Sequence, residues 1–296
     1  MKGVRELKAR LGSVSNIKKV TSTMELVATA KMKKLQERAN ASRPYAEAIR
    51  AMLAQVAGFV SPEVSPLLRD PGKVERECVV VIAGDKGLCG AFNTNVFRVA
   101  LNYIAARKNE GVEVSVYAIG KRTEKFANKI GFAIEGMIEE KVELISHRRI
   151  EVTMRALGDS FVADKFQKIS LVYTKMKSAA VFTPLVEPLL PLAASEPSGD
   201  GHSEAKAGIE LDFTMEPSAE EIMTRLIPKT LAVNLMNGVH QSLASEFAAR
   251  RIAMKNATDA ATDMIDELRM EYNKARQTGI TAELLEIISG AEALKG

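Results

Sequence analysis

Apolar residues recur at steps of three or four from the start of the chain: Leu7, Leu11, Val14, Ile17, Val20, Met24 and Val27, then Ala30 and Leu35. That spacing predicts a helix with one narrow apolar stripe. The pattern resumes beyond Pro44 at Ile49, Leu53 and Val56, so the helix is expected to bend near Pro44 and to end around Gly58 and Pro62. At the other end, Ser245 to Leu294 contains no proline and only two glycines, Gly279 and Gly290. Continued back to Ser218, this second helix would run about seventy residues, roughly 105 Å at 1.5 Å rise per residue. Its stripe is Leu231, Leu235, Val239 and Leu243, then Ile252, Ala257, Ala261, Ile265, Leu268 and Tyr272. Ser218 with Glu220 and Glu221 marks its start, and Pro228 predicts a kink or a short first segment. Two stripes too narrow for a bundle are most simply buried by wrapping the helices around each other as an antiparallel pair.

Between these helices the period changes. Glu77–Ala83 reads as a buried strand, Ala91–Lys108 as a helix and Val112–Ile119 as a second strand. Lys121–Ile130 and Ser146–Phe166 offer further helices, and Ile169–Tyr173 with Ala179–Val186 two further β-rich runs. This rhythm predicts a parallel-leaning, Rossmann-like α/β domain inserted between the terminal helices. The polar run 195–208 is expected to be a mobile loop, followed by a strand-like stretch, Ile209–Met215. The expected boundaries are 1–60 for the first coiled-coil helix, 74–215 for the α/β domain and 218–294 for the second helix.

Composition narrows the function classes. The chain is 46% hydrophobic and 26% charged, with a net charge of +4, and its cations do not alternate with stacking aromatics, which argues against nucleic acid. Cys78 and Cys89 lack metal or redox spacing and are expected to be reduced and buried. No run of eighteen apolar residues occurs, and the first turns lack the apolar core of a signal peptide, so a cytosolic chain is expected. The loop from Gly84 to Asn93, GDKGLCGAFN, follows a strand and opens a helix, where phosphate is often cradled. Its glycines, Gly84, Gly87 and Gly90, give neither GxGxxG nor a P-loop, so a tight structural turn is the expectation. His147, His202 and His240 lie on three different elements and suggest no metal cluster or triad, and acids such as Asp263 and Glu267 read as a solvated helix face. No cofactor is expected. Residues 1–40 hold ten cations against three acids, a basic rod suited to an acidic protein surface. The last turns carry Ile280, Leu284, Leu285, Ile287 and Ile288, an apolar tip that should be sleeved by other chains.

Four ordered motifs carry a resemblance: IKKVTSTMELVATAKM at 17–32, GDKGLCGAFN at 84–93, ASEFAARRIAMKNATD at 244–259, and YNKARQTGIT at 272–281 with the terminal EIISGAEAL. Over nearly its whole length the chain resembles the gamma subunit, the central stalk rotor of rotary F-type ATP synthases of the bacterial type. The resemblance implies paired helices inside a ring of alternating alpha and beta subunits, and an α/β foot resting on the membrane ring of c subunits and carrying epsilon. It implies one copy per complex, catalysis in the beta subunits, and indirect attachment to the cytoplasmic face of the cell inner membrane. By position, Arg276 and Gln277, with Thr281 one turn on, resemble the residues that hydrogen-bond a beta-subunit loop. Met24 resembles the residue facing an acidic beta segment, and Phe213, Met215 and Glu216 resemble residues near the ring. Phe247 and Arg251 depart from the family pattern, and no paired-cysteine insertion is present, so thiol control is not expected. A coiled-coil adaptor with an α/β head, or a Rossmann-type nucleotide-binding enzyme, would be the alternatives; the first has no use for the apolar tip, the second needs a phosphate loop.

Overall fold

The computed structural model describes residues 3–57, 59–60, 65–68, 71–192 and 216–293. Helix α1 spans Val4–Ala57 and helix α5 spans Ala219–Ala293. Between them lie β1 (Arg76–Ile82), α2 (Phe92–Asn109), β2 (Glu113–Ile119), α3 (Lys121–Ile130), β3 (Ile134–Ile138), α4 (His147–Val162), β4 (Lys168–Met176) and β5 (Phe182–Leu190). The strand-like reading of 209–215 and the loop 195–208 fall outside the described residues.

Both prolines sit inside unbroken helices, so the expected short first segment of α5 does not form. Pro44 and Pro228 are exposed, so the carbonyl each one strands can be hydrated while the opposite, buried face continues. On α1 that buried face is a strict heptad. Leu7, Thr21, Ala28, Leu35, Ile49 and Val56 are buried and Val14 half-buried at multiples of seven, with Leu11, Lys18, Glu25, Met32 and Leu53 buried or half-buried between them. A seven-residue repeat in a 3.6-residue helix imposes a left-handed supercoil. The stripe read from spacing drifted off this seam: Ile17, Val20 and Val27 are more than half exposed. Steps of three taken in succession creep around the helix, and only alternating threes and fours stay on one side.

The contacts divide the chain into two compact units: Met1–Ala30 with Leu88–Gly90 and Ala249–Gly296, and Lys31–Gly87 with Ala91–Ala248. In the first, α5 carries its own heptad, with Met254, Ala261 and Ile265 buried and Thr258, Leu268, Tyr272 and Ala275 half-buried. Thr258 Oγ1 meets Thr21 Oγ1 at 2.8 Å, a polar layer that fixes register where slippage by a turn would strand both hydroxyls. In the second unit the helices run antiparallel: Lys31 stacks over Phe247, while Arg50 donates to Asn234 at 3.1 Å, so positions rise on one helix as they fall on the other.

The sheet has the order β3-β2-β1-β4-β5. The first four strands are parallel and β5 is antiparallel to β4. Strand β3 was not legible in the sequence, since Ile134–Ile138 is half-buried and interrupted by Gly136, which packs on the Tyr117 ring. Strand β5 lies later than the run 179–186, and its Pro184 and Pro188 are tolerated because an edge strand keeps one row of N–H positions outside the ladder. Helices α2 and α3 share a face, stacking Phe97 on Phe126 with centroids 4.2 Å apart.

At the amino end of the strands, Glu77 is fully buried. Its carboxylate accepts from Tyr103 Oη at 2.7 Å, Ser170 Oγ at 2.6 Å and Arg107 Nε at 2.6 Å. Burial works against the Arg107 charge, yet the Glu77 bond and charge raise its pKa; burial and then Glu77 raise that of Tyr103. The network ties α2 to β1 and β4. Glu77→Ala should cost about 3–5 kcal/mol, because it leaves a largely buried guanidinium and two hydroxyls without their acceptor. Urea unfolding of the variant checks this; a loss under 1 kcal/mol would mean the network contributes little.

Candidate functional site

In a doubly wound sheet, ligands bind beyond the carboxyl ends of the strands where the strand order reverses. Here that point lies between β1, which leads through α2 to β2, and β4, reached through α4. The chain itself fills the crevice. The β1–β4 ladder ends at Val81 and Val172, but β4 continues to Met176, so the backbone of Thr174 and Met176 faces an edge with no strand. Helix α5 supplies side chains instead. Ser242 Oγ accepts from Thr174 N at 3.0 Å, Ser245 Oγ donates to Thr174 O at 3.3 Å, and Gln241 Oε1 accepts from Met176 N at 3.0 Å. Gly238, one turn earlier, lets the helix sit against Leu171, Ile82 and Tyr173; a Cβ there would stand 2.9 Å from Leu171. Consequently Ser242–Ala248 are all buried, two turns hidden on every side.

One turn beyond Ser242, Glu246 is 6% exposed and lies against the glycine loop. A Cβ on Gly84 would be 2.8 Å from its carboxyl carbon and 2.9 Å from both oxygens. Gly84 N donates to Asn93 Oδ1 at 2.9 Å, and Asn93 Nδ2 donates to Lys86 O at 3.2 Å, which closes the loop on itself. Asp85 accepts from Lys121 N at 3.1 Å and Val142 N at 2.9 Å, pinning the loop to two neighbouring segments. A Cβ on Gly87 would meet the Arg122 guanidinium at 3.0 Å. Gly90 adopts φ +57°, in the left-handed region, and faces Ala253. The place a phosphate would take in a nucleotide-binding domain is thus occupied by a carboxylate of the chain's own helix.

Met24 is half-buried, on the same side of α1 as a second apolar strip of Ile17, Val20 and Val27. Arg276, Gln277 and Thr281 are exposed, with Thr281 Oγ1 donating back to Gln277 O at 2.9 Å. Ile280, Leu284, Leu285, Ile287 and Ile288 are each about half exposed or more, from 49% to 67%. Glu216 is exposed, whereas Phe213 and Met215 lie outside the described residues. Cys78 and Cys89 are free and buried, and burial pushes the Cys78 thiol up to about 12. Among the described residues no group of three metal-ligating side chains occurs, and no helix is long and apolar enough to cross a membrane.

Of the joint residues, Gln241 and Ser242 were not singled out by sequence, and Ser245 and Glu246 stood only within the motif at 244–259, with no role assigned. Their signal was faint: small polar residues where the helical stripe loses its polar face. Nor did the sequence reveal that His240, half-buried on α5, is near enough to Arg38 and His147 to feel their charge. Burial, then Arg38 and His147, lower its pKa below 6.5. His202 lies outside the described residues.

Removing the joint's side chains one at a time should cost about 1 kcal/mol each, and somewhat more where a buried backbone N–H is left bare, as in Ser242→Ala. Denaturant midpoints for Gln241→Ala, Ser242→Ala and Ser245→Ala would test this. His240 is neutral when folded but takes a proton more readily when unfolded, so its neutral form supports full stability above pH 6.5 and loses it as pH falls toward its lowered folded value. The stability gap between the native chain and His240→Gln should therefore move in favour of the variant on acidification from pH 7 to 5. A pH-independent gap would contradict this.

The comparisons with known proteins cover this whole arrangement. The protein-family model described as ATP synthase matches residues 3–294. The ATP synthase gamma chain of Flavobacterium psychrophilum is 37% identical over 299 residues, covering 100% of both chains. That of Ruthia magnifica is 34% identical over 290 residues, covering 98% of this chain and 99% of the relative. In fold, the chain is similar to one in a structure of the Euglena gracilis mitochondrial ATP synthase comprising OSCP, F1 and c-ring, with a TM-score of 0.66, 18% identity, and 98% and 94% of the two chains covered. A second Euglena gracilis structure, of the ATP synthase rotor, gives a TM-score of 0.61 at 16% identity over 94% and 98% of the chains. With a family model and relatives above 30% identity matching from end to end, this chain belongs to the ATP synthase gamma chain family.

Proposed function

We propose that the chain is the central rotor shaft of an F-type ATP synthase, coupling ion flow across a membrane to sequential conformational change in catalytic beta subunits. The observation that carries this reading is the end-to-end correspondence with gamma chains, the terminal helices included. The joint supports it physically. A crevice plugged by Glu246 and Gln241 leaves the α/β domain suited to gripping a helix, so ATP chemistry is assigned to the beta subunits and the gamma chain acts by moving them.

In this reading one copy stands in a ring of alpha and beta subunits, with epsilon and the c ring at the α/β domain and membrane attachment indirect, at the cytoplasmic face of the bacterial inner membrane. Arg276, Gln277 and Thr281, all exposed, are free to meet a beta loop. The exposed residues Ile280, Leu284, Leu285, Ile287 and Ile288 form the tip that turns in an apolar bearing, and burying them there removes an aggregation-prone surface from water. Phe213, Met215 and Glu216 approach the ring.

Co-expression with alpha and beta subunits should yield a complex with a single copy of this chain; absence of any complex would refute the assignment. Met24→Lys places a cation beside the apolar strip of α1, where a charge-assisted bond to an acidic beta segment adds about 1.5–3 kcal/mol in one rotor position. ATP-driven ion pumping should fall, and unimpaired pumping would exclude that contact. Truncation after Thr281 should shorten the lifetime of the assembled complex, measured by subunit exchange.

A further inference from the structure

The side chain of Lys31 joins three elements. It projects from α1, its Nζ lies 2.7 and 2.8 Å from the two carboxylate oxygens of Glu143, and it stands 5.2 Å from the centroid of the Phe247 ring on α5. Glu143 belongs to a short 3-10 turn between β3 and α4, Val142–Leu144. That turn is itself fixed to the glycine loop, because Val142 N donates to Asp85. Lys31 is also the first residue of α1 in the unit that contains the sheet, and Phe247 is followed by the last α5 residue of that unit, Ala248. A cation bound in this way satisfies both oxygens of one carboxylate and an aromatic face together, a geometry that a freely waving surface lysine does not adopt.

The two helices are held to the sheet differently. The grip on α5 is short-range and buried, through Gln241, Ser242, Ser245 and Glu246. The grip at Lys31 is ionic and partly open to water, with side-chain exposures of 42% for Lys31 and 41% for Glu143. It gives α1 a polar tether, which resists sliding along the helix axis as apolar packing does not. Phe247 supplies the face that the ammonium rests on.

We propose that Lys31, Glu143 and Phe247 form a three-way clamp that fixes α1 in register against α5 on the α/β domain and bears load when the helices are twisted. The proposal rests on the rotor reading. Lys31 and Glu143 are positioning residues: breaking the clamp leaves beta-subunit chemistry intact and lets α1 yield, so fewer ions move per ATP hydrolysed.

The test uses the assembled, membrane-bound complex and measures ATP hydrolysis and ATP-driven ion pumping on the same vesicles. Lys31→Met and Glu143→Gln should each assemble and hydrolyse ATP as the native complex does, with pumping per ATP lowered by about two- to fivefold, the factor an exposed ion pair can supply. The double variant should be no worse than either single one, and the exchange Lys31→Glu with Glu143→Lys should restore pumping. Lys31→Arg should pump normally. Raising ionic strength should narrow the gap between native and Lys31→Met complexes, because screening weakens only the native clamp. Phe247→Leu, which keeps bulk but removes the ring, should give a smaller loss. Native coupling in both single variants, additive losses in the double, or a charge exchange that assembles without recovery would overturn the clamp. A native complex that hydrolyses ATP without turning this chain would instead overturn the rotor reading itself.

Discussion

Strand β4 is longer than its parallel neighbour β1, and the fold depends on how that mismatch is resolved. Backbone groups at Thr174 and Met176 cannot be left unpaired in a buried place without a cost of order 1–3 kcal/mol each. On the β1 side no strand lies beside them, and the helix that arrives in its stead must present hydrogen-bonding side chains at its contact face. Gln241, Ser242 and Ser245 do so within little more than one turn. The requirement explains why buried polar side chains flank the apolar stripe of α5 at this point, and why a glycine, Gly238, precedes them: the helix must come close before short side chains can reach the strand.

The same constraint decides what the α/β domain can do. Its topology, with a reversal of strand order between β1 and β4, is one that elsewhere opens a ligand crevice. Here Glu246 presses its carboxylate against Gly84, so the glycine loop accommodates an anion that is covalently part of the chain. The glycine at 84 is required by contact, since a methyl group would overlap the carboxylate. At 90 it is required by conformation, since φ is positive. A domain of nucleotide-binding architecture becomes a socket for a helix.

Along the terminal helices, the heptad and its polar exceptions carry separate duties. Leu7, Ala28 and Ile265 supply apolar burial, which is non-directional and tolerates sliding. Thr21 with Thr258 adds direction in the first unit, and Lys31 with Glu143 does so in the second. The apolar residues that lie off the seam, Ile17, Val20 and Val27 with Leu284, Ile287 and Ile288, are surplus to the chain's own core and suit surfaces offered by other subunits.

The long helices, their apolar stripes, the βαβ rhythm and the four family motifs were legible in the residues because each is a local or periodic signal. Helix ends, strands β1, β2 and β4, and the buried cysteines follow from propensity and hydrophobicity along a few positions. Strand β3 was illegible because Gly136 and a half-buried edge location erase its alternation, and the seam of α1 was misplaced because two apolar strips share one helix. The continuity of α1 and α5 through Pro44 and Pro228 was settled by which face of the helix each proline occupies. Gln241, Ser242, Ser245, Glu246 and the pairing of Lys31 with Glu143 join positions 65 or more residues apart, and nothing in their immediate neighbours says which distant position each will meet. The sequence by itself determined the elements and the family, because periodicity and motifs are local; only the tertiary structure decided where helix and sheet are fastened, because an unpaired strand edge exists only once the strands have been laid side by side.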